Sequence, residues 1–379
     1  MNIEIKGVNF INKGAELMLY SIMQEFEDRS IGAEFCMNIK DVKLAPDSLM
    51  KINLYPWRYS KKIPFLGPLL NASFRFFGIK NFQGRKVVTR NNIDVVLDAS
   101  GFVYSDQWGS GSAEVMAVYF KKARKLGQKV VLLPQALGPF ENKVLRNSMK
   151  HLVEYSDLVF ARDDISFSSI KEIVPNTENI FQCPDFTIKI KGNEPEYLSN
   201  YKNKVCIIPN YRMVDMIDDG NYLNYLNNLI KSLKKSGLDF YFLIHESNKD
   251  KSLVEDLQQM NSEKYSILFE EDPLKIKKVI GTARFVVASR FHGIVSSITQ
   301  GIPTIATGWS HKYEMLFKEY SISEYFISDL TNNQRIENAI DKFCNEEDYQ
   351  MVKEKLNKRN GEVLNLVNQM WDKVFKLIS

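Results

Sequence analysis

The feature that most constrains the fold is a regular alternation of short apolar runs with helical segments, clearest in residues 281–314. FVVA at 285–288 and PTIAT at 303–307 have the length and apolar character of buried parallel strands. IVSSITQ, between them, has the spacing of a helix that ends at Gly301. Strand–helix–strand units of this kind predict an α/β fold with parallel sheets.

Cationic and titratable side chains follow both of these strands. Arg290 and His292 come directly after the first, and His311 and Lys312 lie in a polar loop predicted at 308–314 after the second. Ligands of open α/β sheets bind at the carboxyl ends of the strands, and helix N-termini attract anions. A turn that only caps its helix and pairs with a local carboxylate is the simpler alternative. Four such groups at two consecutive strand ends favour a site for a strongly negative ligand beside an imidazole.

The same alternation extends over most of the chain and is interrupted by one polar stretch, 187–203, which is the best candidate for a linker. We therefore predict two Rossmann-like domains, at 1–190 and 204–355, in a GT-B-like arrangement with an interdomain cleft. The segment 356–379 predicts a C-terminal helix, and one interpretation is that it crosses back to the first domain.

Composition excludes several classes of function. The 50 basic and 46 acidic residues give a formal charge of +4, without the basic tract expected of a nucleic-acid-binding protein. The four cysteines lie far apart in the sequence, which is typical of buried thiols in a reducing compartment and not of a zinc site. MNIEIKGVNF resembles a strand and not a signal peptide, and no run of about 18 apolar residues is present. We expect a cytoplasmic protein.

The first half carries its own candidate residues at strand ends. Gly14 follows the first predicted strand, where it provides either a phosphate contact or only a tight turn. Asp98 and Gln135 end two further strands, and Arg162 follows a fourth. In the second half, His245 occupies the equivalent position, where it either contacts an acceptor or is satisfied within the sheet edge.

Residues 53–82 have a different character, rich in aromatic residues and proline with interleaved Lys and Arg. Such a segment either rests on a membrane or contacts a lipid-linked substrate, or it packs its aromatic side chains into the first domain as an irregular insertion.

Several motifs, spread in order along the chain, resemble those of the polysaccharide pyruvyl transferases. They are NKGAELM near the N-terminus, LPQALGPF, FARDDIS, CPDF, and SRFHGIVSSITQGIPTIA with the following HKYE. The combination of SRFHG with an upstream ARD is specific, whereas each alone is weak. The region around Asp98 departs from the family pattern because it is less rich in glycine.

The resemblance implies a reaction and a set of roles. Members of the family transfer the pyruvyl group of phosphoenolpyruvate to two hydroxyls of a sugar, forming a cyclic ketal. By this resemblance Arg162 and Arg290 bind the donor, Lys312 lies near it, and His292 is the catalytic histidine. The implied acceptor is a lipid-linked saccharide of a bacterial surface polysaccharide, and Asp98, Gln135 and His245 are candidates for its binding.

Phosphoenolpyruvate carries a carboxylate and a phosphate, which two arginines can each bind in bidentate fashion while a lysine adds a point charge. Ketal formation moves a proton at each step, and histidine titrates near neutral pH. We therefore assign acid–base catalysis to His292 and expect Arg290 to hold the departing phosphate. No metal or cofactor is expected, because the His and carboxylate groups lack a ligand spacing such as HExxH.

Two other functions share this architecture. A GT-B glycosyltransferase would use similar cations to bind the diphosphate of a nucleotide sugar, and a nucleotide would then protect the protein in place of phosphoenolpyruvate. A non-catalytic binding module would keep the fold without the activity. The four residues Arg162, Arg290, His292 and Lys312 argue against the second alternative.

Overall fold

The computed structural model describes residues 1–42, 44–46, 49, 51–56, 66–217, 221–245 and 248–379. The chain forms two compact units. The first comprises Met1–Phe186 together with Leu366–Ser379, and the second comprises Thr187–Asn365.

The first unit is built on a parallel sheet of seven strands in the order β3-β2-β1-β6-β7-β8-β9. Its strands are β1 Asn2–Lys6, β2 Glu34–Asn38, β3 Asn53–Tyr55, β6 Val95–Asp98, β7 Lys129–Gln135, β8 Leu158–Ala161 and β9 Ile180–Gln182, and a separate antiparallel hairpin is formed by β4 Asn81–Phe82 and β5 Arg85–Lys86. The order reverses between β1 and β6, as in a Rossmann fold.

Helices connect the parallel strands of this unit, as the alternating sequence predicts. They are α1 Lys13–Asp28, α2 Ile39–Val42, α3 Leu66–Phe76, α4 Gly111–Lys125, α5 Lys143–Glu154 and α6 Asp164–Ile173. The turn after β1 needs glycine: Gly7 has a φ of +78°, and a Cβ there would lie 2.3 Å from the Ser100 backbone. The loops that follow β1 and β6 can therefore approach each other closely.

The end of the C-terminal helix belongs to the first unit. Trp371 is 1% exposed, and its ring packs edge-on against Phe26 and Phe186 at centroid distances of 6.4 and 5.9 Å. Arg29 Nη1 lies 2.7 Å from an Asp372 carboxylate oxygen. Buried aromatic packing of this kind contributes most of the attachment energy, because the ion pair is partly exposed.

The second unit contains a parallel sheet of five strands in the order β12-β11-β10-β13-β14. The strands are β10 Val205–Ile208, β11 Phe240–Ile244, β12 Ile267–Phe269, β13 Val286–Ala288 and β14 Thr304–Ala306. The helices of this unit are α7 Arg212–Ile217, α8 Asn221–Lys235, α9 Asn248–Asn261, α10 Pro273–Ile280, α11 Phe291–Ile298, α12 His311–Glu319 and α13 Asn333–Cys344, and α14 Glu346–Ile378 contributes residues to both units. The order reverses between β10 and β13, again as in a Rossmann fold.

The polar stretch 187–203 packs on the second unit. The Lys277 ammonium donates a 2.8 Å hydrogen bond to the carbonyl of Thr187, which is fully buried. Asn193 N donates to the carbonyl of Leu274 on α10 at 3.1 Å. A Cβ on Gly192 would lie 2.5 Å from the Lys278 backbone nitrogen, so only glycine allows this approach. Polar composition alone could not show these backbone contacts.

The aromatic and basic segment 53–82 is described in part, since 57–65 lie outside the described residues. Phe74 is buried and contacts Phe82 at a centroid distance of 5.3 Å. Phe76 and Phe77, by contrast, are 85% and 72% exposed, and their rings contact each other. In the described part of the segment, Tyr55 and Phe74 are thus buried, whereas Phe76 and Phe77 are presented to solvent.

Cys36, Cys183 and Cys206 are buried free thiols, as expected, but Cys344 is exposed at the end of α13, contrary to the sequence expectation. Its position at the helix end, outside the apolar stripe, explains the difference. Among the described residues, no helix combines the length and apolar character needed to cross a bilayer.

Candidate functional site

The cations of the central motif lie at the carboxyl edge of the second sheet, next to the point where strand order reverses. Ile208 at the end of β10 pairs with Ala288 at the end of β13, and Ala288 pairs with Ala306 at the end of β14. The residues that follow β13 and β14 therefore emerge side by side. This is the place where open α/β sheets bind their ligands.

The turn after β13 leads directly into α11. Arg290 is the N-cap residue of α11, and its side chain makes no capping hydrogen bond. His292 lies in the first turn, and its exposure is intermediate. A Cβ on Gly293 would lie only 3.0 Å from Cδ1 of Ile208, so glycine lets α11 pack closely on β10. The close packing holds the arginine and the histidine at the edge of the sheet.

The loop after β14 is shorter than the polar sequence predicts. Residues 308–314 were expected to be a loop, but α12 begins at His311. Gly308 explains the tight turn, because a Cβ there would lie 2.3 Å from the ring of Tyr313. Ser310 is the N-cap, and its hydroxyl finds no hydrogen-bond partner among the described residues. Neither α11 nor α12 is thus capped by a side chain, in contrast to α1, α5, α6, α10 and α13.

Lys312 lies among aromatic rings. Its ammonium is 4.8 Å from the ring centroid of Phe291, 5.5 Å from Trp309 and 5.3 Å from Tyr313. Cation–π contacts at these distances favour the charged amine. Because Phe291 is adjacent to both Arg290 and His292 in sequence, Lys312 lies close to the start of α11.

The backbone just before Arg290 is held by a buried hydrogen-bond network. Asn210 Nδ2 donates to the carbonyl of Ser289 at 3.0 Å, and the Tyr222 hydroxyl donates to Ser289 Oγ at 2.8 Å. Tyr222 also accepts a 3.1 Å hydrogen bond from the Asn210 backbone nitrogen. Burial raises the pKa of Tyr222 to about 12, so the phenol keeps its proton at neutral pH.

Arg290 forms an ion pair with Asp250, in the first turn of α9. The arginine side chain is 14% exposed and the aspartate 1% exposed. Burial lowers the pKa of the Arg290 guanidinium to about 10, which still leaves it charged at neutral pH. The sequence shows no signal for Asp250 or Tyr222, which lie on helices outside any motif, whereas Asn210 comes just after the short apolar run VCII at 205–208.

His245 follows β11, the neighbour of β10, and is 7% exposed. It therefore lies at the same carboxyl edge as Arg290 and His292. With Lys312 and His311, these residues make one polar and cationic region within the second unit. The chemistry available there is the binding of an anion and the movement of a proton.

In the first unit, Gln135 links two other predicted residues at the carboxyl edge of the sheet. The backbone nitrogen of Arg162 donates to the carbonyl of Gln135 at 2.9 Å, and Gln135 Nε2 donates to the carbonyl of Asp98 at 3.0 Å. The Arg162 guanidinium lies 3.1 Å from a carboxylate oxygen of Asp185, and both side chains are buried. The ARD and CPDF motifs thus meet through this ion pair.

Asp98 and Gln135 are both 0% exposed. The Asp98 carboxylate accepts hydrogen bonds from the Ser100 backbone nitrogen at 3.0 Å and the Tyr104 hydroxyl at 2.5 Å, as well as from the Ser100 hydroxyl. Burial raises the pKa of this carboxyl. Asp98 therefore organises the loop after β6, and neither side chain presents surface for the acceptor contact that the sequence predicted.

Gly14 lies in the first turn of α1, where its backbone nitrogen donates to Asn12 Oδ1 at 3.0 Å. The amide that would contact a phosphate is already used by this N-cap, which supports the tight-turn alternative. Asp163 is the N-cap of α6, as Asn12 is of α1, and its carboxylate accepts a 2.8 Å hydrogen bond from the Ser166 backbone nitrogen. Within the described part of the chain, no group of three or more His, Cys, Asp or Glu side chains is arranged to hold a metal ion.

Solved structures similar to this one share its fold at low sequence identity. A UDP-GlcNAc 2-epimerase from Neisseria meningitidis bound to UDP-GlcNAc has a TM-score of 0.62 at 11% identity, covering 99% of this chain and 100% of its own. A putative UDP-N-acetylglucosamine 2-epimerase from Listeria monocytogenes has a TM-score of 0.64 at 9% identity, covering 100% and 96%. Anabaena Alr3699/HepE in complex with UDP and glucose has a TM-score of 0.58 at 13% identity, covering 99% of each chain.

These neighbours are GT-B fold proteins, which confirms the predicted α/β fold with two Rossmann-like domains. Identities this low show the fold alone. No curated protein sequence matches the chain. The family model for polysaccharide pyruvyl transferases matches residues 12–311, a span that contains both the ARD and the SRFHG motifs. The chain therefore belongs to the polysaccharide pyruvyl transferase family and is an enzyme of that class.

Proposed function

We propose that this transferase takes its pyruvyl group from phosphoenolpyruvate and attaches it as a cyclic ketal to two hydroxyls of a sugar, with release of phosphate. The observation that carries the proposal is the grouping of Arg290, His292 and Lys312 at the N-termini of two helices. These helices follow the neighbouring strands β13 and β14, and neither is capped by a side chain. Such a grouping suits a small ligand with two anionic groups beside a proton-transfer residue.

Electrostatics support an anionic donor. Uncapped N-termini of α11 and α12 present backbone N–H groups and the positive ends of two helix dipoles. Arg290 adds a planar guanidinium suited to bidentate binding, and Lys312 adds a point charge. Each charge-assisted contact of this kind is worth about 1.5–3 kcal/mol.

One histidine is enough to move the protons of this reaction. A sugar hydroxyl attacks C2 of the enol phosphate and loses its proton, while the methylene carbon gains a proton and becomes a methyl group. The bond between C2 and the phosphate oxygen then breaks, and the second hydroxyl attacks C2 and gives up its proton, which the departing phosphate takes, as the ring closes. In the proposal His292 moves these protons and Arg290 stabilises the departing phosphate. Because no oxidation or reduction occurs, the scheme includes no cofactor.

Arg162 is proposed as a second donor-binding arginine, on the basis of the family resemblance of its ARD motif. Its ion pair with Asp185 holds the side chain, and the hydrogen bond from its backbone nitrogen to Gln135 holds the backbone. A fixed guanidinium loses less entropy when it binds an anion.

For the acceptor, we propose a lipid-linked saccharide. The exposed Phe76 and Phe77, with the exposed Arg75 beside them, make a surface of the type that rests on a bilayer. This surface would bring the protein to the membrane that carries such an acceptor.

A nucleotide sugar is the alternative donor. Its support is the fold shared with proteins whose structures contain UDP or UDP-GlcNAc. A nucleoside diphosphate would use the same helix N-termini, so the donor must be identified by experiment.

The test is thermal unfolding with phosphoenolpyruvate, UDP or GDP, followed by assay with a saccharide diol. A ligand at about 100 times its dissociation constant raises the free energy of unfolding by roughly 2.7 kcal/mol. We expect this effect from phosphoenolpyruvate alone, with phosphate release and a new ketal methyl signal in the NMR spectrum of the product. Stabilisation by UDP or GDP alone would overturn the proposed donor.

Arginine variants connect the effect with the site. Arg290→Ala should abolish the stabilisation by phosphoenolpyruvate, and Arg162→Lys should weaken it because the bidentate geometry is lost. Arg359→Ala is the matched control, since Arg359 pairs with Glu319 and Glu362 within the same unit and lies outside the site. An equal loss in the control would show that the effect is not specific.

A further inference from the structure

Asp250 is a buried carboxylate bound to Arg290 that no motif identifies. It is 1% exposed and lies in the first turn of α9. One carboxylate oxygen, Oδ1, accepts a 2.8 Å hydrogen bond from the backbone nitrogen of Tyr211. The other, Oδ2, accepts from Nη2 of Arg290. A backbone amide and a guanidinium edge therefore hold the two oxygens in one orientation.

These contacts belong to a hydrogen-bond network that holds both the backbone before Arg290 and its guanidinium. Tyr211 follows Asn210, and the Asn210 side chain donates a 3.0 Å hydrogen bond to the carbonyl of Ser289. Ser289 in turn precedes Arg290. Asn210 thus holds the backbone before the arginine, while Asp250, anchored by the residue after Asn210, holds its guanidinium. The network connects the segments that follow β10 and β13 with the start of α9.

We propose that Asp250 is the positioning residue for Arg290, an inference that rests on the proposed function. A guanidinium has five N–H donors in a rigid plane. Fixing Nη2 fixes the orientation of that plane, and hence the direction in which the remaining donors meet the phosphate of the donor. Misplacement of a catalytic group by about 1 Å can cost a factor of about 100 in rate.

The negative charge of Asp250 lowers the affinity of the site for an anionic donor, although its position favours turnover. A carboxylate paired with Arg290 lowers the positive potential experienced by an incoming anion. Asp250 therefore weakens the binding of phosphoenolpyruvate while it orients the group that stabilises the transition state. Only interactions that strengthen in the transition state raise kcat. A residue that lowers the affinity for phosphoenolpyruvate can therefore still raise kcat.

This reasoning predicts opposite changes in two measured quantities. In Asp250→Asn the amide oxygen can still accept from Tyr211, but the charge is removed and Arg290 is no longer held. The dissociation constant for phosphoenolpyruvate, measured by calorimetry, should fall about threefold or more. The kcat for phosphate release should fall about tenfold. A variant that merely folds less well does not bind its ligand more tightly.

Asp250→Glu separates charge from position. The charge returns, so the dissociation constant should return to that of the wild type, but the carboxylate is displaced by one methylene and kcat should stay low. Glu319→Gln is the matched control, because Glu319 pairs with Arg359 in the same unit at the far end of α12. Neither quantity should change in that control.

The result that overturns the inference is an unchanged kcat, or a dissociation constant that rises, in Asp250→Asn. Asp250 would then be only a structural partner of Arg290. Failure of the proposed function would be seen separately, because the wild-type protein itself would then neither bind phosphoenolpyruvate nor release phosphate, and the inference would fall with it.

Discussion

The hydroxyl of Tyr222 donates a 2.8 Å hydrogen bond to Oγ of Ser289, the residue directly before Arg290. The same oxygen accepts from the backbone nitrogen of Asn210. One phenol on α8 thus connects the segments that follow β10 and β13, the two strands between which the order of the sheet reverses. The candidate site therefore rests on a neutral, buried network.

Tyr222→Phe should destabilise the protein, because the Asn210 backbone nitrogen and the Ser289 hydroxyl both lose a buried partner. An unsatisfied buried group costs about 1–3 kcal/mol. We expect the free energy of unfolding in urea to fall by that amount, with a smaller decrease in kcat as the turn before Arg290 loosens.

Tyr225→Phe is the matched control. The Tyr225 ring stacks on Tyr222 at a centroid distance of 6.0 Å and is equally buried, but its hydroxyl finds no hydrogen-bond partner within the described part of the chain. Removing that hydroxyl should leave stability unchanged or increase it. Equal destabilisation by the two substitutions would contradict the role of the network.

The two parallel sheets could be predicted from sequence, because a buried parallel strand is a short continuous apolar run between helical segments. The same logic missed β3, of three residues, and the helix α9. Alternation of strands and helices carries no information about which residues after a strand form a loop. The start of α12 depends instead on Gly308, whose missing side chain leaves room for the ring of Tyr313.

The candidate site was predictable where it depends on strand ends and not where it depends on partners. Arg290, His292 and Lys312 follow predicted strands, so their common edge of the sheet could be expected. Asp250 comes from a helix, and its contact with Arg290 arises only from packing. Asp98 was expected to contact an acceptor because it ends a strand, but its carboxylate is fully buried in its own loop.

The burial of Asp98 should appear in the pH dependence of stability. Burial raises the pKa of its carboxyl, so the native protein holds this proton to a higher pH than the unfolded chain does. Between the two pKa values the native state binds more protons, and stability falls as pH rises through that window. The window begins near the ordinary pKa of aspartate, about 3.9.

Urea unfolding of wild type and Asp98→Asn from about pH 4 upward would measure this contribution. The free energy of unfolding of the wild type, relative to the variant, should decrease with rising pH. Asp329 gives the contrast when the series is extended below about pH 4. A hydrogen bond from Thr331 lowers its pKa, so its window lies below the ordinary pKa of aspartate, and relative to Asp329→Asn the wild type should gain stability as pH rises through that window. Identical pH profiles for wild type and Asp98→Asn would contradict the assignment.

The exposed rings of Phe76 and Phe77 predict binding to lipid vesicles. The double substitution to Ser should lower co-sedimentation with anionic vesicles at least about tenfold, since burial of one such side chain is worth about 1.5–3 kcal/mol. Val118→Ser is the control, because that side chain is 56% exposed and lies on a different helix, α4. Unchanged vesicle binding in the double variant would remove the support for a membrane-proximal acceptor.

His292→Gln should abolish most of the turnover and leave donor binding in place. General acid–base catalysis contributes a factor of about 10² to 10⁴, and kcat at saturating phosphoenolpyruvate should fall within that range. Arg290 and Lys312 remain in the variant, so calorimetry should show a dissociation constant close to that of wild type. His151→Gln, at an exposed histidine paired with Glu154 on α5, controls for the general effect of losing an imidazole. If His292→Gln kept near-native kcat, another group would have to move the protons, and His245 at the same edge of the sheet would be the next residue to substitute.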